Sequence, residues 1–184
     1  MGFVGRWLSE AISLGLSLGF AFAAMQVPAL THDYTTALRQ VTEEVRHDVD
    51  QREASARHFY NLSATTDDDV IQALRPFEPS NAEGLVASLG RARNLRAAYD
   101  RIEAAAPILQ PVIAAIDFIE DTKGYKPSVL ATTFATFEPQ IVISTAAAVY
   151  GMLGLLIGSL VAQLVISLTL RLFRGRRARV TVQT

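Results

Sequence analysis

QIVISTAAAVYGMLGLLIGSLVAQLVISLTL, residues 140–170, runs for thirty-one positions without a full charge. As a helix it rises about 46 Å against a hydrocarbon core of about 30 Å, so it crosses a bilayer with length to spare, by tilting or projecting. Arg171, Arg174, Arg176, Arg177 and Arg179 follow at once and stop transfer. Working outward, a second uncharged run covers residues 11–31. It predicts a first span from Trp7 to Leu30, with Trp7 at one interface and Pro28 near the other, where a helix can kink or stop.

The charge divides along the same lines. Residues 1–30 and 139–184 carry a net +5, and residues 31–138 carry −6. Cytoplasmic ends and an external middle produce that split. The alternative for the first span is a cleaved leader, because Ala21-Phe22-Ala23 has the small-x-small pattern. Glu10 in the would-be basic region argues against it, as does an apolar run that continues through Met25 and Val27. The expected division is 1–30 for the N-terminus and first span, 31–138 for the external domain, 139–173 for the second span, and 174–184 for a basic tail.

Small residues recur four apart in both spans: Ala11, Gly15, Gly19 and Ala23 in the first, and Gly154, Gly158 and Ala162 in the second, with Ala147 and Gly151 on an adjoining line. Lipid gives helices no hydrophobic reason to associate, and close backbone approach at small residues takes its place. Gly15, Gly19, Ala23, Gly151, Gly154 and Gly158 are therefore the expected helix-packing residues, with packing of the two spans on each other as the simplest arrangement. Ser13, Ser17, Gln26, Ser159, Gln163 and Ser167 are candidates for bonds between helices.

The middle reads as helices. Tyr34, Leu38, Val41, Val45 and Val49 form a narrow stripe on a helix from Thr31 to about Leu62. Asp67, Asp68 and Asp69 open a short helix, where acids complement the helix dipole; the spacing of a calcium loop is missing. Ser80 and Glu83 read as a capping box ahead of a helix using Leu85, Val86, Leu89, Leu95, Ala98, Tyr99 and Ile102. A further helix, 111–122, is expected to bury Val112, Ile113, Ile116 and Ile119 and to turn Asp117, Glu120 and Asp121 outward. Gly124 is a C-terminal cap. Pro127 starts a last short helix with Val129, Leu130, Phe134 and Phe137. The fold class is an all-α membrane protein, two transmembrane helices flanking an external antiparallel helical bundle.

Catalytic patterns are missing. The chain has no cysteine, which removes thiolate chemistry and disulfides. Of the histidines, His32, His47 and His58, only His47 closes a Glu-x-x-His turn with Glu44, and a di-iron bundle needs two such turns and further glutamates. No G-x-S-x-G elbow occurs. Arg171, Arg174, Arg176, Arg177 and Arg179 lack interleaved aromatics and follow a span, so they are expected to contact anionic lipid headgroups, not nucleic acid. No full charge lies inside either span, as a proton or ion path would require. No catalytic, cofactor-binding or metal-binding residue is assigned. Only about ten residues follow Phe173, too few for the output module of a two-span sensor.

Gln26-Val27-Pro28-Ala29-Leu30 followed by Tyr34 and Leu38, and Phe137-Glu138-Pro139 followed by Ile141, Ile143 and Ser144, resemble the two span borders of an uncharacterised family of two-span bacterial inner-membrane proteins, domain of unknown function 2937. The resemblance covers nearly the whole chain. A His-Leu pair expected after the tyrosine is absent, the middle matches in character only, and the span is richer in glycine. The resemblance implies a bacterial inner membrane and a periplasmic domain and supplies no activity; joined to the flanking charges, it gives the expectation that both termini are cytoplasmic and residues 31–138 periplasmic. The function expected is that of a non-enzymatic accessory or scaffold protein bound to membrane lipids and to a membrane-protein partner or a second copy. The alternative is a membrane-anchored periplasmic binding module for a lipid, cell-wall or small-molecule ligand, with an apolar pocket among Leu85, Leu89, Ile113, Ile116 and Phe134.

Overall fold

In the structure, a computed structural model, the backbone is described for residues 3–140 and 143–180, and side chains for 6–140 and 143–169. Among these residues every regular element is helical: α1 (Phe3–Tyr60), α2 (Asp67–Leu74), α3 (Pro79–Glu103), α4 (Gln110–Ile119), α5 (Lys126–Thr136) and α6 (Thr145–Val180). The chain divides into two compact units, residues 1–29 with 139–184, and residues 30–138.

The first unit holds the start of α1 and all of α6. Both are long and apolar enough to cross a membrane. Helix α1 does not stop at Pro28 but carries it in its interior. Proline there removes one backbone bond and crowds the preceding turn, and the flanking apolar and helix-forming residues outweigh that loss. Ser144 starts α6 by accepting the Ala147 N–H at 3.1 Å on its hydroxyl and the Ala148 N–H at 3.0 Å on its carbonyl.

The second unit is built on the later part of α1 and on α3, whose buried residues Ala82, Leu85, Leu89, Ala92, Leu95, Ala98 and Ile102 recur at helical spacing. Two buried clusters result. One gathers Tyr34, Leu38, Leu95, Ala98, Ile102, Ala114 and Val129, and the other Val49, Ala56, Ile71, Leu74, Ala82, Leu85 and Leu89. Val86 lies outside both, 47% exposed.

Local signals decide the helix ends. Thr66 caps α2, its hydroxyl accepting the Asp69 N–H at 3.3 Å. Asp67 is held by both terminal nitrogens of Arg46, at 2.6 and 3.1 Å, so the first acid of the triplet is an ion-pair partner as well as a dipole complement. The expected capping box at Ser80 does not form. Helix α3 begins two residues earlier, with Pro79 in its first turn and Glu78 as cap residue, because proline supplies a preset φ and needs no N–H partner there. Gly124 sits at φ +70°, and Asp121 ties down the turn by accepting the backbone N–H of Lys126 at 3.0 Å.

Two expected outcomes follow. Gly124→Ala forces a side chain into left-handed backbone and lowers stability by about 1 kcal/mol or somewhat more, read as a lower thermal midpoint. The hydrogen bond from Arg46 holds the Asp67 carboxyl below its ordinary pKa. Its stabilisation is therefore present above the unfolded carboxylate value of about 3.9 and lost as pH falls through the lower folded value. Asp67→Asn makes the acid limb of a pH–stability curve shallower; an unchanged limb refutes this.

Candidate functional site

In the first unit, the glycines of α6 lie in a close seam between α1 and α6. A Cβ built on Gly154 meets the Phe20 carbonyl and comes 2.6 Å from the Ala24 Cβ; on Gly158 it comes 2.8 Å from both Phe20 Cβ and Ser17 Cα; on Gly151 it comes 2.7 Å from Met25 Cγ. Contacts under 3.0 Å leave no space for even a methyl group, so these glycines set the approach of the two backbones. Ala147 and Ala162 are buried as well.

Helix α1 presents a different face from the one its small residues suggest. Ser17, Phe20, Ala21, Ala24 and Met25 meet the glycines of α6. Gly15, Gly19 and Ala23 lie on the exposed side with Ala11, and nothing stands within 4 Å of a Cβ built on Gly15 or Gly19. Two of the candidate polar groups turn back on their own helix: Ser17 donates to the Ser13 carbonyl at 2.8 Å and Ser167 to that of Leu164 at 2.9 Å. Gln26 reaches across, accepting the Gln140 N–H at 3.1 Å. The side chains of Arg171, Arg174, Arg176, Arg177 and Arg179, and Ile141 of the second border, lie outside the described residues.

The second unit departs from expectation at α4. Asp117, expected outward, is 1% exposed, whereas Val112, Ile116 and Ile119, expected inward, are 48%, 46% and 82% exposed. A buried carboxylate needs cations. Lys126, itself buried, places Nζ 2.7 Å from Asp117 Oδ2 and donates to the Asp117 carbonyl at 2.9 Å, and Arg101 Nη1 reaches Oδ1 at 2.6 Å. The Tyr34 hydroxyl is buried with no hydrogen-bond partner among the described residues; burial, then the charges of Asp117 and Asp121, push its pKa well above the ordinary tyrosine value. Pro111, Ala114 and Asp117 form the inner face of α4, and Leu109, Val112, Ile116 and Ile119 the outer one. The apolar pocket expected among Leu85, Leu89, Ile113, Ile116 and Phe134 is not formed: Leu85 and Leu89 are buried in one cluster, Ile113 packs against the other, and Ile116 and Phe134 are exposed.

A groove of about 770 Å³ lies elsewhere on this unit, lined by residues of late α1 such as Asp48, Arg52 and Tyr60 and by Glu78 and Asn81. The Tyr60 hydroxyl donates to Glu78 Oε1 at 2.5 Å and the Asn81 amide to Oε2 at 2.8 Å. These two bonds, the tyrosine's first, hold the Glu78 carboxyl below its ordinary pKa. Tyr60 also stacks on Phe77 at 5.0 Å and meets the edge of Phe59 at 4.9 Å. His47 is hydrogen-bonded to Gln51 at 3.1 Å. Among the described residues no three His, Asp or Glu side chains converge as a metal site.

Asp117→Ala leaves Lys126 buried without its counter-charge and is expected to cost about 3–5 kcal/mol. Asp117→Leu with Lys126→Met removes both charges and lies much closer to the native chain in thermal unfolding; equal losses for single and double replacement would contradict the pairing. Gly154→Ala is expected to open the α1–α6 seam, read as a lower thermal midpoint of the full chain in mild detergent, whereas Gly15→Ala, with nothing within 4 Å, leaves the midpoint unchanged.

Comparison with known proteins returns one family: a model described as Protein of unknown function (DUF2937) matches residues 8–175. No curated protein matches, and no solved structure matches.

Proposed function

The chain belongs to the DUF2937 family of proteins of unknown function, and from that premise we propose that it is a non-enzymatic accessory protein of the bacterial inner membrane. The start of α1 and α6 cross the bilayer, both termini are cytoplasmic, and residues 31–138 form a periplasmic antiparallel helical bundle. Membrane insertion is supported by side chains such as Trp7, Leu14, Leu156, Leu160 and Leu164, each more than half exposed on helices with hardly a charge. A soluble core helix would bury them. The arginine run after the second span serves the lipid headgroups, at about 1 kcal/mol per residue near the surface.

One observation carries the accessory role. The seam with α6 leaves the small-residue stripe of α1 unused, and Gly15 and Gly19 stand open along it. In lipid, such a stripe brings another helix to backbone contact, and the occupant is a span of a larger membrane complex or of a second copy. Gly19→Leu is expected to weaken assembly while leaving the α1–α6 seam intact, whereas Gly158→Leu disrupts the seam itself. Native-membrane pull-down in mild detergent, with size estimation, reads both. Unchanged migration and partner recovery for Gly19→Leu would sink the proposal.

A second reading, a membrane-anchored binding module, draws on the groove beside Tyr60 and Glu78. Recovery of the native protein alone and at monomer size favours that reading.

A further inference from the structure

Helix α4 is turned inside out for a helix in water. Its single charged residue, Asp117, faces the core, and Leu109, Val112, Ile116 and Ile119 face outward over one arc at spacings of three, four and three. Ala115 between them is exposed too. The ion pairs of Asp117 with Lys126 and Arg101 fix this rotation, so the outward face is a built surface.

Its composition says what covers it. Protein interfaces carry aromatic or arginine anchors and about one hydrogen bond per 100–200 Å². The outward side chains of α4 are all aliphatic and offer no donor or acceptor. That chemistry suits acyl chains. Position agrees. The inner face of α4 packs in the cluster with Tyr34 and Leu38, which stand only about 6 and 12 Å along α1 from Leu30, the first residue of the unit. Val129 of α5 belongs to the same cluster, and α5 ends at Thr136, two residues before the unit's last, Glu138. Helix α4 therefore belongs to the end of the unit where the chain both arrives and leaves.

We infer that the outward face of α4 lies in the headgroup–acyl boundary of the bilayer as an interfacial helix, an inference that rests on the membrane reading above. Burial of such a face reaches about 5–10 Å into that boundary. Exposed Glu120, at the C-terminal end of α4, remains among the headgroups and water. The contact draws on apolar area and needs no anionic lipid.

The chain has no cysteine, so single cysteines at Val112 and Ile116 report cleanly. The full chain, carrying an environment-sensitive fluorophore at one position at a time, is reconstituted in phosphatidylcholine vesicles. Reference labels sit at Val86, exposed on α3, and at Leu156, exposed on α6. Labels at Val112 and Ile116 are expected to lose emission to shallow doxyl-lipid and to keep it in aqueous iodide, with Val86 the reverse. If they behave as Val86 does while Leu156 is quenched by lipid, the inference is overturned and the membrane reading stands. If Leu156 is itself open to iodide, the membrane reading falls and this inference with it. Shielding of Val112 and Ile116 from both quenchers means that protein covers the face, and also overturns it.

Discussion

The ion pair between Asp117 and Lys126 is the contact on which the arrangement of the second unit turns. Both groups are shut off from water, and each alone would be costly there. Together with Arg101 they lock α4 to α3 and α5 at a single rotation. Everything about the outer surface of α4 follows from that lock: with Asp117 inside, the residues half a turn away have nowhere to point but out. The turn at Gly124 and the bonds from Asp121 bring Lys126 back over Asp117, so a backbone conformation and a charge pair depend on each other.

The first unit is ordered by sterics. Gly151, Gly154 and Gly158 let two backbones approach to distances at which a single methyl group would collide. Bulky apolar side chains elsewhere on α1 and α6 stay exposed. One unit is thus specified by what its glycines lack, and the other by what its buried charges require.

The sequence made much of this legible. Length and lack of charge marked both apolar helices, and four-residue spacing drew attention to Gly154 and Gly158, beside which the backbone of α1 runs close. The face of α1 that receives it was not. Four-residue spacing selected Ala11, Gly15, Gly19 and Ala23, but the seam uses Ser17, Ala21 and Ala24, since a partner that is all glycine on one side tolerates Phe20 and Met25 on the other. Helix α4 itself was legible but its inner face was not, because Val112, Ile113, Ile116, Phe118 and Ile119 are apolar around most of its circumference, so periodicity defines no inner side. The deciding information is long-range: Lys126, nine residues on and across a glycine turn, and Arg101 on the preceding helix. At Ser80 two local signals competed, and Pro79 prevailed over the capping box.

The core of the second unit comes in two parcels that share α1 and α3 but no buried residue. Such a division sets different local opening energies along the same helices. The parcel around Val49, Leu74 and Leu85 holds α2 in place without help from α4 or α5, so its amides can exchange with deuterium in openings that leave those near Tyr34 and Ile102 protected. One uninterrupted helix then carries two tiers of protection, and the far part of the domain can loosen while the part anchored by Asp117 stays folded.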